Sequence, residues 1–296
     1  FDFPTQKELL AVLGAEGLKG LRAEADEIAG GKFRIFGGEL VDIKLDFAHS
    51  LSHWTDYETG KAKIPETEYL SLNTALNLPP ATCDLKLLWE PARFGWAFTL
   101  GRAFHATDER KYVEAFWRYF EIFDKANPVD MGPHWMNGQE VAIRLMALIW
   151  AAQVFWDARV LSNQQLGRLA ESIAEHAERI PLTLIYARSQ NNNHLVSETA
   201  GLYTASLALP DHPDSEKWYK LGTKWLNWSF ENQIDEKGEY IQHSVNYQRL
   251  MLQVALWVTS ISRGVKETRE NHSVNILPAW LSHIAMLNLS ISTRWL

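Results

Sequence analysis

Asn137-Gly138-Gln139-Glu140-Val141-Ala142-Ile143-Arg144, running on through an apolar stretch to Trp156, decides the fold class of this 296-residue chain. Asn137 at an N-cap with Glu140 three positions later reads as a capping box, and Glu140 and Arg144 can also pair across one turn. The apolar run behind them carries Arg144 and Gln153, so it is too short and too amphipathic to span a bilayer. It reads as a helix over 138–157, followed closely by another over 163–179. Short connections make such neighbours antiparallel. The same unit recurs as 86–105 with 108–126, 194–209 with 213–234, and 243–264 with 272–292. The pairs start roughly 50 residues apart, unlike tetratricopeptide or ankyrin periods, whose motif residues are also missing. Antiparallel helix pairs of this length curl into a superhelix or close into a toroid.

Upstream, an amphipathic helix is expected from Gln6 to about Ala29, ended by Gly30-Gly31. Short β-like pieces follow at Lys32 to Phe36 and Leu40 to Leu45. His49, His53, Trp54 and Tyr57 then lie in a polar, irregular segment. Residues 1–80 are expected to pack on a helical domain of residues 81–296 as one structural unit. The last expected helix stops at Arg294-Trp295-Leu296 without a cap or polar tail, which reads as a chain cut before a following domain. The opening Phe1-Asp2-Phe3-Pro4 has no basic n-region and no initiator methionine, as in a processed or trimmed chain.

Hydrophobic residues at 46% and charged residues at 22% are ordinary for a soluble globular protein. The 13 Trp are not, and with 13 Phe and 9 Tyr they suit the flat walls of a sugar cleft as well as a core. A net charge of −7 argues against a nucleic-acid partner, and it requires a locally basic cleft of any anionic polysaccharide. Cys83, the single cysteine, excludes an intrachain disulfide without fixing the compartment. The chain has no P-loop, no G-x-S-x-G, no H-E-x-x-H and no cysteine pair for zinc, so its own residues indicate no cofactor.

Chemistry concentrates in two places. Gln190-Asn191-Asn192-Asn193-His194-Leu195-Val196-Ser197-Glu198 sets amides and an imidazole where a loop becomes a helix. Asn193 can cap that helix, and His194 and Glu198 fall on one face. Further on, Gln242-His243-Ser244-Val245-Asn246-Tyr247-Gln248-Arg249 carries a tyrosine suited to proton shuttling. If a helix has begun by His243, that side chain and Tyr247 share a face. Removing the C5 proton of a uronic acid is opposed by its carboxylate, so the carboxylate must be neutralised as charge develops. Asn does this without bringing a competing negative charge. The bland readings are a simple cap, a surface ion pair and a packing tyrosine. Trp89 could stack on a sugar, Arg93 could hold a carboxylate or sulfate bidentately, and Gln139 is free to face a cleft. Pro91 between them is expected in the first turn of a helix. Rival functions are a toroidal glycoside hydrolase using Glu140, Glu198 or Glu239, and a non-catalytic glycan-binding protein.

Four blocks, in order, resemble the heparinase II/III-like lyases: Trp89-Glu90-Pro91-Ala92-Arg93, Asn137 to Arg144, Asn192 to Glu198 with Gly201-Leu202-Tyr203, and Asn246-Tyr247-Gln248-Arg249. The resemblance implies a mainly α, incomplete (α/α) toroid of antiparallel hairpins followed by an antiparallel β-sandwich absent from this chain. It also implies β-elimination on uronate polysaccharides by bacterial periplasmic or secreted enzymes. Asn193, helped by His194, would then neutralise the substrate carboxylate, and Tyr247 would be the general acid and in some members the base. Substrate-binding positions on the same blocks are Trp89, Glu90, Arg93, Gln139, Asn192, Glu198, His243, Asn246 and Arg249. Some members also draw a histidine and a metal site from the β-sandwich. The pattern looks closest to the heparinase III type acting on heparan sulfate, while alginate and oligoalginate lyases share the core.

Overall fold

Thr5 opens the first helix, α1 (Gln6–Ala29), through the reciprocal bonds of a capping box with Glu8. Gly14 interrupts it at φ 62°, a conformation that only glycine adopts without strain, so α1 is kinked near its start. A two-stranded antiparallel hairpin follows, β1 (Lys32–Arg34) and β2 (Leu40–Asp42), with Phe33 opposite Val41. The computed structural model describes residues 3–79, 81–235 and 238–262. The irregular segment holds two short helices, α2 (Trp54–Glu58) and α3 (Leu70–Ala75).

From here the chain is helical: α4 (Leu85–Ala92), α5 (Gly95–Thr107), α6 (Lys111–Ala126), α7 (Gly138–Asp157), α8 (Asn163–Arg179), α9 (Leu184–Gln190), α10 (Asn193–Ala208), α11 (Ser215–Asn232) and α12 (Val245–Ser262). The helix expected over 86–105 is broken in two. Asp84 caps α4, so Pro91 lies near its end rather than in its first turn. Its missing N–H weakens the last turn, and Phe94 turns the chain at φ 60°. The expected helix over 272–292 and the terminal Arg294-Trp295-Leu296 lie outside the described residues.

The described residues divide into two compact units, Phe3–Arg179 and 180–262. In the first, α1 packs on α5 and α6, α5 on α7, and α7 on α8. In the second, α10 is the central helix, packed by α9, α11 and α12, and every residue from Leu195 to Ser206 is buried. At Gly222 of α11 a Cβ would stand 2.7 Å from the Tyr203 amide nitrogen, so only hydrogen allows this approach of two helix backbones.

The first unit holds two buried guanidinium groups. Arg144 donates to His176 Nε2 (2.7 Å) and to the carbonyls of Ala92 (3.0 Å) and His134 (2.9 Å). It therefore does not pair with Glu140: its N–H groups are committed to the start of the 134–137 loop and to α8. Burial pushes Arg144 down to about 9, which leaves it charged at neutral pH. Arg179 stacks 3.7 Å over the Trp54 ring and donates to the carbonyls of Trp135 and Met136. Between them the two arginines fix the chain that leads into α7.

His176 donates Nδ1–H to the Ser172 carbonyl (2.7 Å) and accepts from Arg144 on Nε2, which defines the neutral imidazole. Burial first, and the Arg144 charge second, hold His134 and His176 well below the ordinary histidine value. The unfolded chain takes up these protons below about pH 6.5 and the folded chain does not. Stability supplied by the pair is therefore full above that value and is lost on acidification, by about 1.4 kcal/mol per pH unit for each histidine. Urea unfolding is expected to show a loss of about 2.5 kcal/mol between pH 7 and pH 5.5, and a flat profile would contradict it.

Candidate functional site

The Gln190–His194 turn is built from amides that bond to other amides. α9 ends at Asn191, which adopts the left-handed conformation (φ 46°) that asparagine tolerates better than most residues. Asn192 then extends and caps α10, accepting from the His194 amide at 3.0 Å. The cap is thus Asn192, one residue earlier than expected, because the left-handed turn at Asn191 brings the extended residue forward. Asn193 becomes the first helical residue, and its side chain is buried.

Two glutamines hold this turn, and a third holds the loop beside it. Gln242 Oε1 accepts from the Asn193 amide (2.9 Å), one of the donors that a helix N-terminus leaves open. Gln233, at the end of α11, donates to Asn191 Oδ1 (2.9 Å) and to the Asn192 carbonyl (3.2 Å). The Tyr240 hydroxyl donates to Gln233 Oε1 (3.2 Å), and burial raises its pKa, so it remains a donor. Gln248 accepts from the Tyr240 amide and donates to the Gly238 carbonyl, tying the first turn of α12 to the same loop. Of these residues, Gln233 and Tyr240 went unnoticed in the sequence. Tyr240 lies inside the polar run ending at Arg249, whereas Gln233 is a lone amide after an amphipathic helix.

His194 Nδ1 stands 3.7 Å from Glu198 Oε1 on the expected helical face, with the imidazole partly exposed and the carboxylate buried. Tyr247 lies in the first turn of α12 and is 39% exposed, open enough to meet a ligand. His243, Asn246 and Arg249 are exposed as well. His243 does not share a helical face with Tyr247. The helix starts at Val245, after a tight turn in which the Ser244 amide bonds to the Gln242 carbonyl.

Trp89, Glu90, Arg93 and Gln139 belong to the first unit. Arg93 directs Nε and Nη2 at Glu140 (2.5 and 2.7 Å) and Nη1 at Glu90 (2.5 Å). A substrate carboxylate or sulfate would compete with two protein carboxylates for this fork. Burial opposes the Arg93 charge, but Glu140 and Glu90 outweigh it and raise its pKa, while burial raises that of Glu90. Asn137 caps α7 as expected, bonding to the amides of Gln139 and Glu140, while the Glu140 carboxylate turns to Arg93 instead of closing a capping box. Trp89 Nε1 donates to the Pro133 carbonyl (2.9 Å), which orients a half-buried indole. Gln139 is buried at the start of α7. Among the described residues, no three His, Cys, Asp or Glu side chains are grouped to hold a metal ion.

A family model described as Heparinase II/III N-terminus matches residues 63–288. The chain belongs to that family. Within the heparinase II/III family, a heparin-sulfate lyase from Bacteroides thetaiotaomicron is 23% identical over 159 residues, 52% of this chain and 22% of that protein. The structure of heparan sulfate lyase HepC from Pedobacter heparinus superposes with a TM-score of 0.62 at 19% identity, over 93% of this chain and 38% of that one. A heparinase III structure gives 0.57 at 16% identity, over 93% and 41%. At these identities the likeness shows the fold, the mainly α heparinase toroid type. The chain spans about a fifth of the curated relative's length and about two fifths of the solved ones. Among the described residues, no helix is long and apolar enough to cross a membrane.

Proposed function

We propose that this protein is a polysaccharide lyase that cleaves uronic-acid-containing glycans, heparan sulfate first among them, by β-elimination in the bacterial periplasm or outside the cell. The observation that carries the reading is the amide-held N-terminus of α10, which fixes the buried Asn193 next to the partly exposed His194 in a chain of the heparinase II/III family. In the proposed step Asn193, helped by His194, donates hydrogen bonds to the uronate carboxylate. The C5 proton leaves to a base, the C4–C5 double bond forms and the C4–oxygen bond breaks. Tyr247 returns a proton to the departing glycosidic oxygen, so charge never accumulates on either fragment. Asn192, Glu198, His243, Asn246 and Arg249 are the proposed substrate-binding residues of the second unit, and Trp89, Glu90, Arg93 and Gln139 those of the first.

A hydrolase would need two available carboxylates. Glu140 is engaged by Arg93, and the Glu198 carboxylate faces His194 at 3.7 Å, which leaves the exposed Glu239 without a second carboxylate of the same kind. Digestion of heparan sulfate, heparin, alginate and hyaluronan, with products read by mass spectrometry, tests both substrate and chemistry. Elimination leaves the two fragments with no added water, and hydrolysis adds one. Heparan sulfate fragments without added water are expected. Such fragments from alginate alone would move the substrate to that polymer, and hydrated fragments would overturn the lyase reading.

A further inference from the structure

The second unit carries a cationic and aromatic face that the elimination chemistry leaves unused. The Arg188 guanidinium of α9 stacks 3.9 Å over the Trp225 ring of α11, and Lys224 Nζ stands 5.2 Å from the same ring. Trp228 meets Trp225 edge to face with ring centroids 6.0 Å apart. Arg188 and Lys224 are both exposed, and neither forms an ion pair with a described carboxylate. By contrast, Arg93 and Arg168 are each shared among carboxylates.

The surroundings reinforce that charge. Lys217, Lys220 and Lys224 recur three and four residues apart along α11, and among the described residues only Lys220 of the three forms an ion pair, with Glu216 at 3.3 Å. A chain of net charge −7 thus keeps a local excess of cations on one side of its second unit. A guanidinium held by its face against an indole is ordered before binding, and its N–H edges remain available to a planar or tetrahedral anion. The position also fits. Arg188 is three residues before Asn191, and Trp225 is eight residues before Gln233, about 12 Å along the helix axis, within reach of a bound oligosaccharide.

We infer that Arg188 and Lys224, on the Trp225 platform, form an anion-reading subsite for the sulfate or carboxylate groups of the acidic polysaccharide, displaced along the polymer from the Asn193 centre. This rests on the acidic-polysaccharide reading above. The subsite sets affinity and sulfation preference, and it takes no part in bond cleavage.

The test measures binding of size-defined heparan sulfate oligosaccharides to the wild type, R188A, K224A and the double variant, at low and physiological salt. Thermal melting and turnover are followed alongside. The double variant is expected to bind about tenfold more weakly with an unchanged melting temperature and a shallower salt dependence. R188K, which keeps charge without the fork, is expected to lie between. Turnover should show a raised KM with kcat retained. Unchanged affinity would overturn the inference, as would a loss that tracks melting temperature, which marks the stack as packing alone. A wild type that forms unsaturated products while the double variant binds normally removes the subsite and leaves the lyase. Salt-sensitive binding lost in the double variant, with no product from any polymer, keeps the subsite and removes the lyase.

Discussion

Arg144→Ala is expected to destabilise the protein by about 3–5 kcal/mol, the range found when one partner of a buried charged network is removed. Three buried acceptors depend on this side chain: His176 Nε2 and the carbonyls of Ala92 and His134. None can turn to solvent, and a buried polar atom without a partner costs about 1–3 kcal/mol. The substitution also empties the space between the Phe123 and Trp135 rings, which the guanidinium faces at 4.6 and 5.6 Å. Arg144→Lys should recover part of the loss, since an ammonium still donates but cannot reach three separated acceptors with one rigid fork. Urea unfolding of the two variants measures this. A loss under 1 kcal/mol for the alanine would mean that the network is dispensable.

The other large effect is on turnover. Tyr247→Phe is expected to slow the reaction by about 10²–10⁴-fold, the usual contribution of a positioned acid or base. The variant isolates chemistry from folding, because the Tyr247 side chain is 39% exposed and its hydroxyl makes no hydrogen bond to a described residue. Asn193→Ala should cost about 10²–10³-fold, as for loss of one donor to a developing anion. Its backbone bond to Gln242 does not involve the side chain that is removed. Rates within threefold of wild type for Tyr247→Phe would remove that residue from the mechanism.

Much of this architecture was legible because periodicity and caps are local. The capping signal at Asn137 and the glycines after Ala29 gave α7 and α1 their limits. What escaped was decided by single backbone torsions or by distant partners. The break between α4 and α5 depends on Phe94 adopting φ 60°, which no propensity favours for phenylalanine. The cap at Asn192 instead of Asn193 follows from the left-handed turn at Asn191. Glu140 and Arg144 look like natural helix partners four residues apart, yet tertiary contacts with Arg93 and His176 outcompete the surface pair. At the site, the amides of the Asn191–His194 turn stood out by their density. Gln233 did not, since one glutamine after a helix carries no signal until the fold brings it to Asn191.

The most direct test incubates the full-length protein with heparan sulfate and follows the ultraviolet absorbance of the C4–C5 double bond. A steady rise that is absent with Tyr247→Phe is the predicted result. New reducing ends without that absorbance would mean hydrolysis, and they would contradict the central claim that this helical domain serves an elimination reaction.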